Sequence, residues 1–132
     1  MRIAIFTFLS VCALAQESTQ TPALKAAHKW LPLIDTAKYS ESWKQASGLF
    51  KKALTEDQWT EACVQARAPL GQFKSRSFAL SQVLKDPPNA PPGDYYLFQF
   101  NADFQNRNGA TETVILVRQS ENNWRVTGYF IK

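Results

Sequence analysis

From Asp94 onward, apolar and polar side chains alternate residue by residue. Tyr96, Phe98, Phe100, Ala102 and Phe104 fall on one side, and Tyr95, Leu97, Gln99, Asn101 and Asp103 on the other. A period of two is the signature of a strand with one face against a core. Thr111–Arg118 follows with Val114-Ile115-Leu116-Val117 apolar on both sides, as a central strand requires, and Trp124–Ile131 closes a meander. Between the first two runs, Asn108-Gly109 predicts the hairpin turn, since a type I′ turn needs positive φ at both central residues. Ser120-Glu121-Asn122-Asn123 predicts the next turn. An earlier, looser strand spans residues 73–84 and is separated by Asp86-Pro87-Pro88-Asn89-Ala90-Pro91-Pro92-Gly93. Prolines cannot join a ladder, so that segment is a stiff surface connection.

The first half has helical periodicity instead. Thr21-Pro22 reads as an N-cap and first-turn proline, and Leu24, Ala27, Leu31 and Ile34 recur on one face. Pro32 inside this run predicts a kink or a frayed end. A second helix carries Trp43, Ala46, Phe50 and Leu54. A third starts at a Thr55/Gln58 capping box, carries Trp59, Ala62, Cys63, Ala66 and Leu70, and stops at Pro69 and Gly71. Three N-terminal helices followed by four antiparallel strands give an α+β class, the helices packed on one face of a curved sheet.

The first fifteen residues stand apart. Arg2 precedes an apolar run from Ile3 to Leu14, and Ala13-Leu14-Ala15 has the small residues a signal peptidase inspects. Residues 1–15 are therefore expected to be a cleaved signal peptide, leaving residues 16–132 as one domain in the periplasm or secreted. The run is too short and too interrupted, by Thr7 and Ser10, for a membrane span, so no integral membrane segment is expected. Leu9-Ser10-Val11-Cys12 loosely resembles a lipidation box, but Val11 is a poor residue before a modified cysteine, and lipidation is disfavoured.

Cleavage also removes one of the chain's two cysteines. Cys63 alone cannot form an intrachain disulfide, and with a single histidine no His/Cys metal site can be assembled within one chain. Neither metal nor cofactor is implied. A net charge of +4 without a basic block, on an exported protein, is a mildly basic surface and points to no nucleic-acid partner. His28 is the one imidazole and has no nucleophile in local reach.

Several elements share an order and spacing with a known family. They are Trp43 before Phe50, then Gln58-Trp59, Arg67-x-Pro69-Leu70-Gly71, Ser75-Arg76 and Pro92-Gly93-Asp94-Tyr95. Phe100-x-x-x-Phe104, Glu112-Thr113-Val114 and Trp124-Arg125-Val126-x-Gly128-Tyr129 complete the set. The chain thereby resembles the DUF4019 family of bacterial exported proteins, whose function is unassigned, from about Leu24 to Lys132. The resemblance implies export and supplies no catalytic residues. At fold level the order of elements is similar to the NTF2-like, cystatin-like roll, in which helices and a bent sheet enclose a pocket.

Three functions are carried forward. The first is non-catalytic binding of a small apolar ligand or a protein partner, in a pocket formed from Trp43, Trp59, Arg67, Arg76, Phe98, Glu112, Trp124 and Tyr129. The second is an NTF2-like isomerase or lyase using Glu112, Asp103 or Tyr129 as acid or base. Against it, a buried Glu112 is first expected to pair with Arg67 or Arg76. The third is an interaction module that forms a homodimer through its open sheet.

Overall fold

The computed structural model describes residues 21–132; the expected signal segment and Cys12 lie outside the described residues. Four α-helices precede the sheet: α1 (Pro22–Asp35), α2 (Tyr39–Lys44), α3 (Gly48–Ala53) and α4 (Glu56–Arg67), the last running into a 3₁₀ turn at Ala68–Leu70. Four strands follow: β1 (Phe73–Lys85), β2 (Asp94–Phe104), β3 (Arg107–Ser120) and β4 (Asn123–Ile131). They form one open antiparallel sheet in the order β1-β2-β3-β4, an unbroken meander with β1 and β4 at its edges. The α+β class holds. Among the described residues, no helix is long and apolar enough to cross a membrane.

Local chemistry explains where the helices start. Thr21 Oγ1 accepts from the Leu24 amide, and Thr55 and Gln58 exchange both bonds of the capping box, at 3.2 and 3.0 Å. Two expectations need correction. The helix expected to carry Trp43 through Leu54 is two helices. Ser47 breaks it by capping α3 through the Phe50 amide at 3.1 Å while its own amide donates to the Val126 carbonyl of β4 at 2.8 Å. Nor does the helix fray at Pro32, since the chain stays helical as far as Asp35. Proline there forfeits one bond to the carbonyl of His28, on an exposed side, while Leu31 and Ile34 stay buried and hold the last turn.

The β2–β3 hairpin also differs from expectation. Its turn falls at Gln105-Asn106, and Asn108-Gly109 lies within β3. Ala102 pairs with Ala110 and Phe104 with Arg107, so Asn108 and Gly109 together oppose Asp103 as a bulge. Gly109 supplies the positive φ of 72° that the bulge needs, and its amide donates to Asp103 Oδ1 at 2.8 Å. The turn itself is tied to the 3₁₀ segment through Asn106 N to Leu70 O, 2.9 Å.

One face of the sheet carries the core. Phe98, Phe100, Val114, Leu116 and Val126 pack on Leu24, Ala27, Trp30, Leu31 and Ile34 of α1 and on Phe50, Trp59 and Cys63. A smaller cluster of Leu70, Ala102, Phe104 and Ala110 fills the other end, with Phe73 and Ile131 against it. The opposite face of the sheet is also rich in apolar side chains. Leu80, Leu97, Ile115 and Phe130 are exposed or half-buried there, with Phe130 59% exposed.

Candidate functional site

Buried charge collects between the two apolar clusters. Glu112, in register with Phe100 and Ile131, points from β3 into the helix-covered side and is fully buried. Arg76 of β1 bridges it to the end of α1. Its Nε donates to Glu112 Oε1 at 2.8 Å and Nη2 to Oε2 at 3.3 Å, while Nη1 and Nη2 reach Asp35 at 2.7 and 2.8 Å. Arg67 of α4 donates to Asp35 Oδ1 at 3.1 Å and to the Tyr129 hydroxyl at 3.3 Å. Tyr129 in turn donates to Glu112 Oε2 at 2.5 Å. The guanidinium of Arg67 lies 4.6 Å from the Phe104 ring centre, and that of Arg76 lies 4.1 Å from Phe73.

Two guanidinium groups thus face two carboxylates, and among the described residues no buried side-chain polar atom lacks a partner. Burial alone would lower the pKa of Arg76, but its hydrogen bonds to Asp35 and Glu112 outweigh that and raise it. Tyr129 is pushed well above the ordinary phenol range by burial and by the Glu112 charge beside it. These couplings keep Arg76 charged and the Tyr129 proton in place. Both Glu112 oxygens are taken by Arg76 and Tyr129, so the carboxylate has no free edge toward a substrate. Asp103 holds the Gly109 amide. His28 is edge-on to Phe100 at 5.4 Å, its pKa lowered by burial and by Arg76. Burial pushes the Cys63 thiol up to about 12, which leaves it unreactive near neutrality.

The eight side chains expected to wall one pocket are distributed over several places. Trp59, Arg67 and Tyr129 line a groove of about 310 Å³ that Cys63 and Ile131 also border. Arg67 also borders a shallow cleft of about 460 Å³ with Asp35 and Tyr39. Glu112 and Arg76 are in the ion network behind these openings. Phe98 is 1% exposed and stacks on Tyr96 at 5.2 Å. The Trp43 indole donates to Leu54 O at 2.8 Å and packs beneath Lys51. Trp124 is edge-on to Tyr96 at 5.1 Å and lines a different cleft with Lys29 and Arg125.

A further concavity lies on the outer face of the sheet. Leu84, Tyr95, Ile115, Gly128 and Phe130 form its floor, Leu49 and Ala53 of α3 one wall, and Pro87, Ala90 and Pro91 the other, enclosing about 430 Å³. The proline wall is tied down. Asp86 and Gly93 exchange bonds at 2.8 and 2.9 Å, and the Tyr95 hydroxyl donates to Pro91 O at 2.8 Å. Gly128 lies in the floor, where a Cβ would make ordinary contact with Ile115 at 3.4 Å. The trace of this groove in the sequence was the two-sided apolar run at Val114–Val117. It reads equally well as a strand buried on both faces.

The family model described as "Protein of unknown function (DUF4019)" matches residues 26–129. That match spans most of the chain, and the chain belongs to this family. No curated protein matches it.

Proposed function

We propose that this member of the DUF4019 family is exported, is cleaved before Gln16, and binds a small apolar molecule in the outer groove without transforming it. The observation that carries the reading is the groove's make-up. About 430 Å³ falls within the range of small-molecule sites, and the lining is mostly aliphatic and aromatic, with Asn89 and Thr127 as its polar members and walls on two sides. An apolar surface of this kind on a small domain needs an occupant, because exposing it to water is unfavourable. The absence of a free acid or base around Glu112 and Tyr129 favours binding over the isomerase or lyase reading. The helices pack on one face of the sheet, and the concavity proposed to work opens on the other, beside α3.

The test is titration of the purified domain with the neutral fluorophore N-phenylnaphthylamine. Saturable fluorescence enhancement is expected, and Ala90→Trp, which fills the groove from an exposed loop position, should abolish it. Equal enhancement in Ala90→Trp would sink the assignment. Cell fractionation with N-terminal sequencing of the recovered protein tests export; a mature chain starting at Met1 would refute it.

A second reading, homodimerisation, has its own support. β1 is a free edge of thirteen residues, and Phe78, Leu80 and Val83 on it are exposed.

A further inference from the structure

A second concavity, separate from the apolar groove, has the opposite character. It lies where α1, the end of α2 and the β3–β4 hairpin meet, encloses about 200 Å³, and is bordered by Lys29, Trp30, Gln45, Asn123, Trp124 and Arg125. No carboxylate lines it. Arg67, Arg76 and Arg118 each have an acidic partner, whereas Lys29 and Arg125 have no ion-pair partner among the described residues. The Arg125 guanidinium is nevertheless held in place, because Nη1 donates to the Gln45 carbonyl at 3.2 Å. A neutral carbonyl orients it without cancelling its charge, and its remaining N–H groups are free for a second acceptor.

The acids around it are otherwise engaged or border other openings. Glu41 accepts from the Gln45 side chain at 3.0 Å, Asp94 is paired with Arg118 at 2.6 Å, and Glu121 of the β3–β4 turn borders a separate cleft with Asp94 and Arg118. The indole of Trp124 is braced by Tyr96 on one side and is half-buried, which leaves part of it open to the cleft. Its N–H finds no acceptor among the described residues, whereas the Trp30 and Trp59 indoles each have one. Two uncompensated cations, one of them a pre-oriented planar guanidinium, and a fixed aromatic surface therefore converge on one small cleft.

We propose that this cleft binds a small planar carboxylate, an aromatic acid, with the carboxylate on Arg125 and Lys29 and the ring against Trp124. The planar guanidinium matches a carboxylate edge in a bidentate fork, and the confined volume suits a single ring bearing one anionic group. The indole contributes stacking that a bare inorganic anion cannot use.

The experiment is an amide NMR titration of the domain with benzoate, run in parallel with benzyl alcohol and with inorganic phosphate. Saturable shifts at Lys29 and across Asn123–Val126 are expected for benzoate, with much weaker responses to the other two. Arg125→Gln should weaken benzoate about tenfold, the scale of losing a charge-assisted hydrogen bond. Lys29→Gln, at an exposed helix position, provides an independent readout, and Ala90→Trp should leave benzoate binding unchanged. The proposal is overturned if benzoate produces no saturable shifts, or if both charge variants bind it as the parent does. It is also overturned if benzyl alcohol matches benzoate, which means apolar contact alone, or if phosphate matches it, which means a site for any anion.

Discussion

Glu112 sets the energetics at the residue scale. A buried carboxylate is tolerable only with its charge balanced and its oxygens occupied, and Arg76 and Tyr129 meet both conditions. Replacing Glu112 with Gln leaves the buried guanidinium groups of Arg67 and Arg76 to share the single carboxylate of Asp35, so urea unfolding should register a loss of about 3–5 kcal/mol. Tyr129→Phe removes one bond to a charged acceptor and should cost about 1.5–3 kcal/mol. Because the two side chains share that bond, the double variant should lose less than the sum of the singles. His28 gives a pH signature. Its folded pKa lies below the ordinary 6.5, so the neutral form is favoured in the fold. Its contribution is fully present above pH 6.5 and is lost as pH falls through the lowered folded value, since the unfolded chain takes up the proton first. The melting temperature of the parent should therefore drop more between neutral pH and about pH 5 than that of His28→Gln.

At the scale of elements, glycine marks two places where the backbone needs positive φ, the entry to β1 and the bulge within β3. Gly71 and Gly109 have nearly the same φ, 73° and 72°, but their surroundings differ. A Cβ at Gly71 would meet Gln105 at 2.8 Å, whereas one at Gly109 meets nothing within 4 Å. Gly109→Ala should therefore cost only the left-handed backbone penalty, about 1 kcal/mol. Gly71→Ala adds a collision between the 3₁₀ segment and the hairpin turn and should cost well over about 2 kcal/mol, measured by thermal or urea unfolding. Gly109 also explains why the hairpin turn lies away from Asn108-Gly109. Asn-Gly reports a need for positive φ, and a bulge satisfies that need as well as a type I′ turn does. What chose the bulge was the Asp103 side chain and the docking of Gln105-Asn106 on Leu70 and Gln72, contacts that depend on distant parts of the chain. The same applies to Ser47, a polar residue in a helical run whose capping role depends on Val126.

On the scale of the whole molecule, the sheet is open at β1, and residues 77–84 of that edge carry no charge and no proline. Natural edges are commonly protected by such residues, so the unprotected stretch is where two copies would pair. Under the dimer reading, light scattering at high protein concentration should report twice the monomer mass. Leu80→Lys, which places a charge at the middle of the edge, should return it to monomer. A monomer at every concentration would end that reading.

The sequence by itself determined the class of the fold, four antiparallel strands after a helical half, because periods of 3.6 and 2 are local consequences of burying one face. It also determined that Glu112 would need a cationic partner, with Arg67 and Arg76 as the candidates, since an unpaired buried carboxylate is prohibitively unfavourable. Tertiary structure alone decided that Asp35 would balance the second guanidinium, because an acid at the exit of α1 looks like any surface residue until β1 and α4 converge on it. It likewise decided that the aromatic side chains fill a core, and that the concavities open outside it. Periodicity reports which face of an element is apolar, but whether two such faces close on each other or leave space depends on how distant segments pack.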